Sequence, residues 1–111
     1  MDCIFCKIIA GEIPSKKAYE DEKILAFHDI SKSAPVHILV VPKIHVESLN
    51  GVGEDNIDYI SRIFLKIPEI AEEFKIADGY RVATNIGADG GQSVFHLHFH
   101  ILGGRKLNYM G

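Results

Sequence analysis

Residues 91 to 104 read GQSVFHLHFHILGG and set His96, His98 and His100 at alternate positions in an otherwise apolar run. On an extended strand, alternate side chains share a face, with Cα atoms about 6.6 to 7 Å apart. A helix would scatter the three rings, so the spacing predicts a strand. Imidazoles with a reference pKa of about 6.5 resist being charged together on one face, and some must stay neutral near pH 7. A neutral imidazole can serve as nucleophile, proton carrier or metal ligand. Just upstream, Gly87, Gly90 and Gly91 allow the backbone to approach a ligand closely and turn its amides toward phosphate oxygens. Gln92 and Ser93 add polar side chains. The bland alternative is a buried strand of hydrogen-bonded histidines beside a hairpin loop; three rings in strict alternation make it the weaker reading.

A second constellation opens the chain. Cys3-x-x-Cys6 is the only cysteine pair in 111 residues. Without an export signal, that spacing favours metal or redox chemistry over a structural disulfide. Two small buried hydrophobes are the plain alternative. If residues 2 to 10 are helical, the two thiols share one face.

The elements that must position these groups follow from periodicity. Residues 2 to 10 form a short helix carrying Ile4, Phe5, Ile8 and Ile9, ended by GEIP. AYEDEKILAFHDI reads as a hairpin turning near Asp21 to Lys23 and running from Ile24 to Asp29, with His28 pointing away from Asp29 toward the surface. HILVVP, 37 to 42, is nearly all apolar and reads as a strand covered on both faces. From Glu54 to Ile76 the period lengthens. Ile57, Ile60, Phe64, Ile67, Ala71 and Phe74 mark one face of an amphipathic helix, interrupted by Pro68 and stopped by the ADG of 77 to 79. YRVATN then reads as a strand, leading through the glycine loop to the histidine strand. The expectation is an α+β fold: a mostly antiparallel sheet, one long helix and a short N-terminal helix, in one domain spanning 1 to 111.

Composition narrows the function classes. Net charge is −3, with acidic and basic residues mixed along the chain. No basic block marks a nucleic-acid surface. No run reaches membrane-spanning length. MDCIFCKII does not read as a signal peptide, so the expected compartment is the reduced cytoplasm.

HLHFHIL resembles the His-φ-His-φ-His-φ-φ signature of the histidine-triad (HIT) family. CIFCKIIAGEIPSKKAYED, LAFHDISKSAPVHILVVPKIH and GYRVATNIGADGGQSVFHLHFHILGGR resemble Hint-type members in the same order and spacing. Ser93 and LGGR are similar to the Hint branch rather than the Fhit-like one. The resemblance implies a HIT-like fold, a homodimer, and hydrolysis of purine nucleoside 5′-phosphoramidates (AMP-lysine-like or AMP-NH2-like) through a nucleotidyl-histidine.

By that resemblance His98 is the nucleophile, His100 a phosphate contact, and Ser93 a proton donor near the leaving group. Gly91 and Gln92 complete the phosphate loop, and Asn85 is another phosphate-side contact. His37 matches a histidine beside the triad, either a proton relay or a satisfied strand-edge ring. Asp29 resembles the ribose-binding carboxylate, though an Asp there also suits a turn. Phe5, Ile8, Phe27, Ile30 and Leu39 match a nucleobase slot and are otherwise core. Some bacterial members that this chain resembles carry structural zinc on such a cysteine pair plus two histidines, so the resemblance implies a site on Cys3, Cys6, His45 of PKIH and His96. The implied partners are AMP, GMP, adenosine or their conjugates, with no organic cofactor. The long helix and the YRVATN strand would form the dimer interface. The tail KLNYMG departs from that of animal members.

Two rival readings remain. One is a metal-dependent hydrolase with His96 and His98 as joint catalytic ligands, which leaves Ser93 and the glycine loop without a role. The other is a nucleotide-binding regulatory or interaction module with weak catalysis.

Overall fold

The structure, a computed structural model, describes residues 3 to 30 and 33 to 109. The first residues of the predicted N-terminal helix, the Ser31 end of the Asp29 turn and the last residues of the tail lie outside that range.

The short N-terminal helix α1 spans Ile4–Ile9, and Cys3 caps it by accepting the Cys6 N–H on its sulfur at 3.3 Å. Strands β1 (Lys17–Glu20) and β2 (Ile24–His28) form the expected hairpin. Its turn is closed by Asp21, whose Oδ1 accepts from the N–H groups of Lys23 at 2.8 Å and Ile24 at 3.0 Å. Asp side chains close turns this way because they are short enough to reach the backbone two residues on. Strand β3 (Val36–Pro42) follows, then the long helix α2 (Ile57–Glu73), β4 (Tyr80–Ala83) and β5 (Phe99–Gly103). Among the described residues, all five strands pair antiparallel, in the order β1-β2-β3-β5-β4.

The sheet is covered on both faces, as the apolar run of β3 predicts. Ile38 and Val40 face α2, with Ile24, Ala26, Leu97, Phe99 and Ile101. Leu39 and Val41 face the other way, with Phe5 and Ile8 of α1 and Leu25 and Phe27 of β2. Burying a large apolar side chain contributes about 1.5–3 kcal/mol, so both layers hold the chain together.

The histidine strand begins at Phe99, not at the first histidine. Pro42 has no N–H to extend the ladder, and the carbonyl of His98 is taken by the Thr84 hydroxyl at 2.7 Å. The alternation of faces nevertheless continues back through Leu97 in extended chain, whose N–H donates to the Val46 carbonyl.

Helix α2 is shorter than 54 to 76, and Pro68 sits inside it without ending it. Its buried face is Ile60, Ile63, Ile67, Ile70 and Ala71, whereas Ile57 and Phe64 are exposed. The helix is therefore rotated from the predicted stripe. Phe64 instead lays its ring edge against Phe99 at 5.3 Å.

The ADG glycine does not stop this helix. Lys75 takes the left-handed position at φ 62°, and Ile76 N–H returns to the Ala71 carbonyl at 2.9 Å. That is a Schellman closure without its usual glycine. It turns the chain early enough to bury Ile76 in the core.

Finally, β4 ends at Ala83 rather than Asn85. His28 is half-buried against Phe74, at 5.1 Å between rings, and is not a surface residue.

Candidate functional site

The three histidines occupy the sheet face opposite α2, and each has a different set of partners. His98 is buried, and its Nδ1–H donates to the main-chain carbonyl of His96 at 2.7 Å. A carbonyl only accepts, so this bond assigns the proton to Nδ1 and leaves the lone pair on Nε2. The edge of the Phe5 ring, 5.0 Å away, steadies the imidazole.

His100 belongs to a chain of bonds that crosses from β3 to β5. The Ser33 N–H donates to His37 Nδ1 at 3.0 Å, and His37 Nε2 lies 2.9 Å from His100 Nδ1. Because an N–H faces His37 Nδ1, the proton of that ring sits on Nε2 and is donated to His100. His100 therefore accepts at Nδ1 and carries its own proton on Nε2. Asp29 Oδ2 lies 3.5 Å from His37 Nε2 and favours the same arrangement.

Burial, helped by the neighbouring His98 and His37, pushes His100 down to about 4 against a weaker opposing pull from Asp29. Burial lowers His37 as well, partly offset by Asp29. Both rings are thus neutral near pH 7. Asp29, His37 and His100 also lie close enough to hold a metal ion. The proton on His37 Nε2 accounts for the His37–His100 contact through hydrogen bonding, with the Asp29 carboxylate beside it.

His98 and His100 look into a cavity of about 350 Å³. Its walls include Phe5, Ile8, Phe27, Leu39, Asp29 and Ser93, all expected from sequence. Ile30 stands at its rim, fully exposed. Ile4, Ile13 and Val94 also line it, as do Lys16 and His28. Sequence reasoning missed these, since isolated apolar or polar residues in short segments carry no periodic signal. His37 borders a neighbouring hollow of about 280 Å³ that shares Asp29 with the first.

Three expected phosphate contacts lie elsewhere. Gln92 is buried and braces the loop. Its Oε1 accepts from Gly87 N–H at 2.9 Å, and its Nε2 donates to the carbonyls of Glu47 at 2.7 Å and Val94 at 3.1 Å. With the side chain so engaged, only its main chain can reach a ligand. Gly91 adopts φ +92°, and a Cβ there would come within 3.7 Å of Asn85. Asn85 thus packs against the glycine turn, outside the cavity wall.

The other cluster joins α1 to the histidine run. Cys3 Sγ lies 3.3 Å from His96 Nδ1, and Cys6 Sγ lies 3.5 Å from both His96 Nδ1 and His45 Nδ1. The four ligand atoms fall within 4.8 Å of one another. Tetrahedral zinc, with bonds of about 2.3 Å to sulfur and 2.0–2.1 Å to nitrogen, places unlike ligands roughly 3.5 Å apart. The donor set and its spacing fit that ion.

Orientation fits too. His96 Nε2–H donates to the Pro42 carbonyl at 3.0 Å, which leaves Nδ1 bare toward the sulfurs. Burial and the Cys3 thiol push Cys6 up to about 11, so without a cation its proton stays on; a bound divalent ion reverses that balance. His98 lies outside this cluster, which separates it from His96 and disfavours the two as joint catalytic ligands.

A family model described as the HIT domain matches residues 10 to 107. The chain belongs to the HIT family. A histidine triad protein from Clostridium difficile is 53% identical, superposes with a TM-score of 0.94, and is covered to 97% by 100% of this chain. A HIT family hydrolase from Clostridium thermocellum has the same TM-score at 44% identity, over 98% of this chain and 96% of that one. Among sequences, a 14 kDa zinc-binding protein of Brassica juncea is 43% identical over 97% of each chain. The HIT sheet and the main helix described above are therefore those of its relatives. Among the described residues, no helix is long and apolar enough to cross a membrane.

Proposed function

We propose that this HIT protein is a nucleotide-binding hydrolase of the Hint branch. Its substrates are purine nucleoside 5′-phosphoramidates, cleaved through a nucleotidyl-histidine on His98. The observation that carries this reading is the bond from His98 Nδ1–H to the His96 carbonyl, which reserves the Nε2 lone pair of a cavity-lining ring for attack.

The base enters between Phe5, Ile8, Phe27 and Leu39, with Ile30 over the rim, and Asp29 accepts from the ribose hydroxyls. His98 Nε2 attacks the α-phosphorus in line as the P–N bond to the amine breaks. His100 Nε2–H donates to an equatorial phosphoryl oxygen, where charge accumulates. The Ser93 hydroxyl supplies the proton that the leaving nitrogen needs. Water then breaks the new P–N bond to His98, releasing the nucleoside monophosphate and returning to Ser93 the proton it gave up, while His37 holds the His100 donor in place. The glycine turn of Gly91, packed against Asn85 and braced by the Gln92 side chain, positions Ser93 at the phosphate side of the cavity.

Zinc on Cys3, Cys6, His45 and His96 would supply structure, tying α1 and its Phe5 to the His98 segment. Thiols committed in this way suit a reducing cytoplasm. The exposed apolar residues Phe64 and Val82 on α2 and β4 support a homodimer built on those elements, and the whole chain acts as one HIT domain.

A panel of nucleoside phosphoramidates, dinucleotides and nucleotide conjugates assayed with wild type and His98→Ala tests the reading. The variant should lose more than about a thousandfold in turnover while binding AMP within about threefold of wild type. Quenched wild type should carry one nucleotidyl group on His98. Near-normal turnover by the variant overturns the mechanism, and slow turnover of the whole panel by wild type favours a regulatory nucleotide-binding module.

A further inference from the structure

The hydrogen-bond chain Ser33–His37–His100 has one end that cannot titrate. Each neutral imidazole in it has two possible tautomers, and the 2.9 Å contact between His37 Nε2 and His100 Nδ1 couples them: reversing one reverses the other. In the observed sense, His100 presents Nε2–H to the cavity. In the reversed sense it would present a lone pair, which repels a phosphoryl oxygen. A main-chain N–H can only donate, so Ser33 N–H, 3.0 Å from His37 Nδ1, selects the observed sense. Asp29 leans the same way, but at 3.5 Å it lies beyond ordinary hydrogen-bond length.

Ser33 itself is exposed, in the connection between β2 and β3. Its carbonyl accepts from Arg105 Nη2 at 3.0 Å, while Arg105 Nη1 donates to the Lys106 carbonyl at 3.0 Å. The guanidinium fork thus ties the Ser33 backbone to the chain just beyond β5. The same corner presses on the connection from a second side. Gly104 has φ +97°, and a Cβ there would lie 2.8 Å from Pro35 Cβ and 3.4 Å from Val36 N. Val36 in turn pairs with Gly103 at the last rung of the β3–β5 ladder.

We propose that Arg105 is a positioning residue: by holding the Ser33 backbone it sets which nitrogen of His37, and through it of His100, carries the proton that faces the phosphoryl group. The inference rests on the proposed transfer through His98 for its catalytic consequence, but the proton placement can be read without any turnover.

The test compares wild type, Arg105→Ala, Arg105→Lys and Ser33→Pro, with His98→Ala as control. Steady-state kinetics on adenosine 5′-phosphoramidate accompany ¹⁵N NMR of the histidine rings at neutral pH. In wild type, His37 and His100 should each show a protonated Nε2 and a bare Nδ1. Arg105→Ala should move both rings toward tautomer averaging and lower kcat about tenfold, with KM changed less than about twofold. Arg105→Lys, which can still donate one bond to Ser33, should recover part of both effects. Ser33→Pro removes the N–H directly and should reproduce the ring signature with Arg105 intact. Folding of each variant is checked by its thermal midpoint.

An unchanged ring pattern in Arg105→Ala overturns the inference, as does unchanged kcat in Arg105→Ala while His98→Ala is inactive. If His98→Ala stays active, the proposed reaction fails, and the NMR arm still decides the role of Arg105.

Discussion

His98 Nδ1 and the main-chain oxygen of His96 lie 2.7 Å apart, and the side chain of that same His96 faces Cys3 and Cys6. One residue thus holds the proposed nucleophile with its backbone and completes the cysteine cluster with its ring. Whatever steadies the cluster steadies the tautomer of His98.

The first prediction concerns that cluster. Protein purified without a metal-affinity tag should contain about one zinc per chain by elemental analysis, since the four ligands match a closed tetrahedral site. Zinc addition to stripped protein should release protons, because the Cys6 thiol is held up to about 11 until a cation arrives. Stripping, or Cys3→Ser with Cys6→Ser, should lower the thermal midpoint by about 5–10 °C. A zinc content near zero with both thiols freely titratable would rule the site out.

Acid should destabilise the fold before the carboxylates titrate. His100 is held neutral, pushed down to about 4, whereas in the unfolded chain it takes its proton near the ordinary histidine value of about 6.5. Its contribution is therefore complete above about pH 6.5 and is lost as pH falls toward 4, because the unfolded chain binds the proton that the folded one refuses. The shift alone corresponds to about 3 kcal/mol, and solvent screening of the partly exposed ring reduces the expected loss to roughly 2 kcal/mol across that window. Urea midpoints for wild type and His100→Gln between pH 7 and 4 check this: the variant's slope should be shallower.

A network remote from the cavity should matter mainly to stability. Burial works against ionisation of Asp21, yet Arg62 Nε at 2.7 Å, the Lys23 and Ile24 N–H groups and the Tyr19 hydroxyl outweigh it and hold the carboxyl far below its usual range. Asp21→Asn should cost about 1–2 kcal/mol at pH 7. The carboxylate's share is present above about pH 4 and is lost as pH falls further. The penalty should therefore shrink in acid, a trend that denaturation at pH 7 and pH 3 would detect. Turnover should stay close to wild type.

Lys75 offers the opposite test. Its φ of 62° carries a steric cost that glycine avoids. Lys75→Gly should stabilise the protein by about 0.5–1 kcal/mol, a net gain after the added freedom of the unfolded chain. A lower thermal midpoint would show that the lysine side chain contributes more than the strain costs.

Local pattern in the sequence determined the α+β class, the hairpin at Asp21, the two-sided burial of β3 and the alternate facing of the three histidines. These follow from period and turn chemistry, which act between near neighbours. Resemblance of motifs supplied the cavity-lining set around His98 and the four residues of the cysteine cluster. Tertiary structure alone decided the rest. His37 and His100 are 63 residues apart, and only the antiparallel register of β3 and β5 brings their nitrogens to 2.9 Å. Gln92 reads as a phosphate ligand in sequence, but the fold surrounds it with the Glu47 and Val94 carbonyls and turns it into a brace. Phe64 fits the apolar stripe of α2, yet packing rotates that helix so that Ile63 and Ile70 go inward instead. The Ser33 N–H and the Pro42 carbonyl, which orient His37 and His96, are main-chain groups. Every residue but proline offers the first and every residue the second, so no side-chain pattern could single them out; only the folded path of the chain aims them.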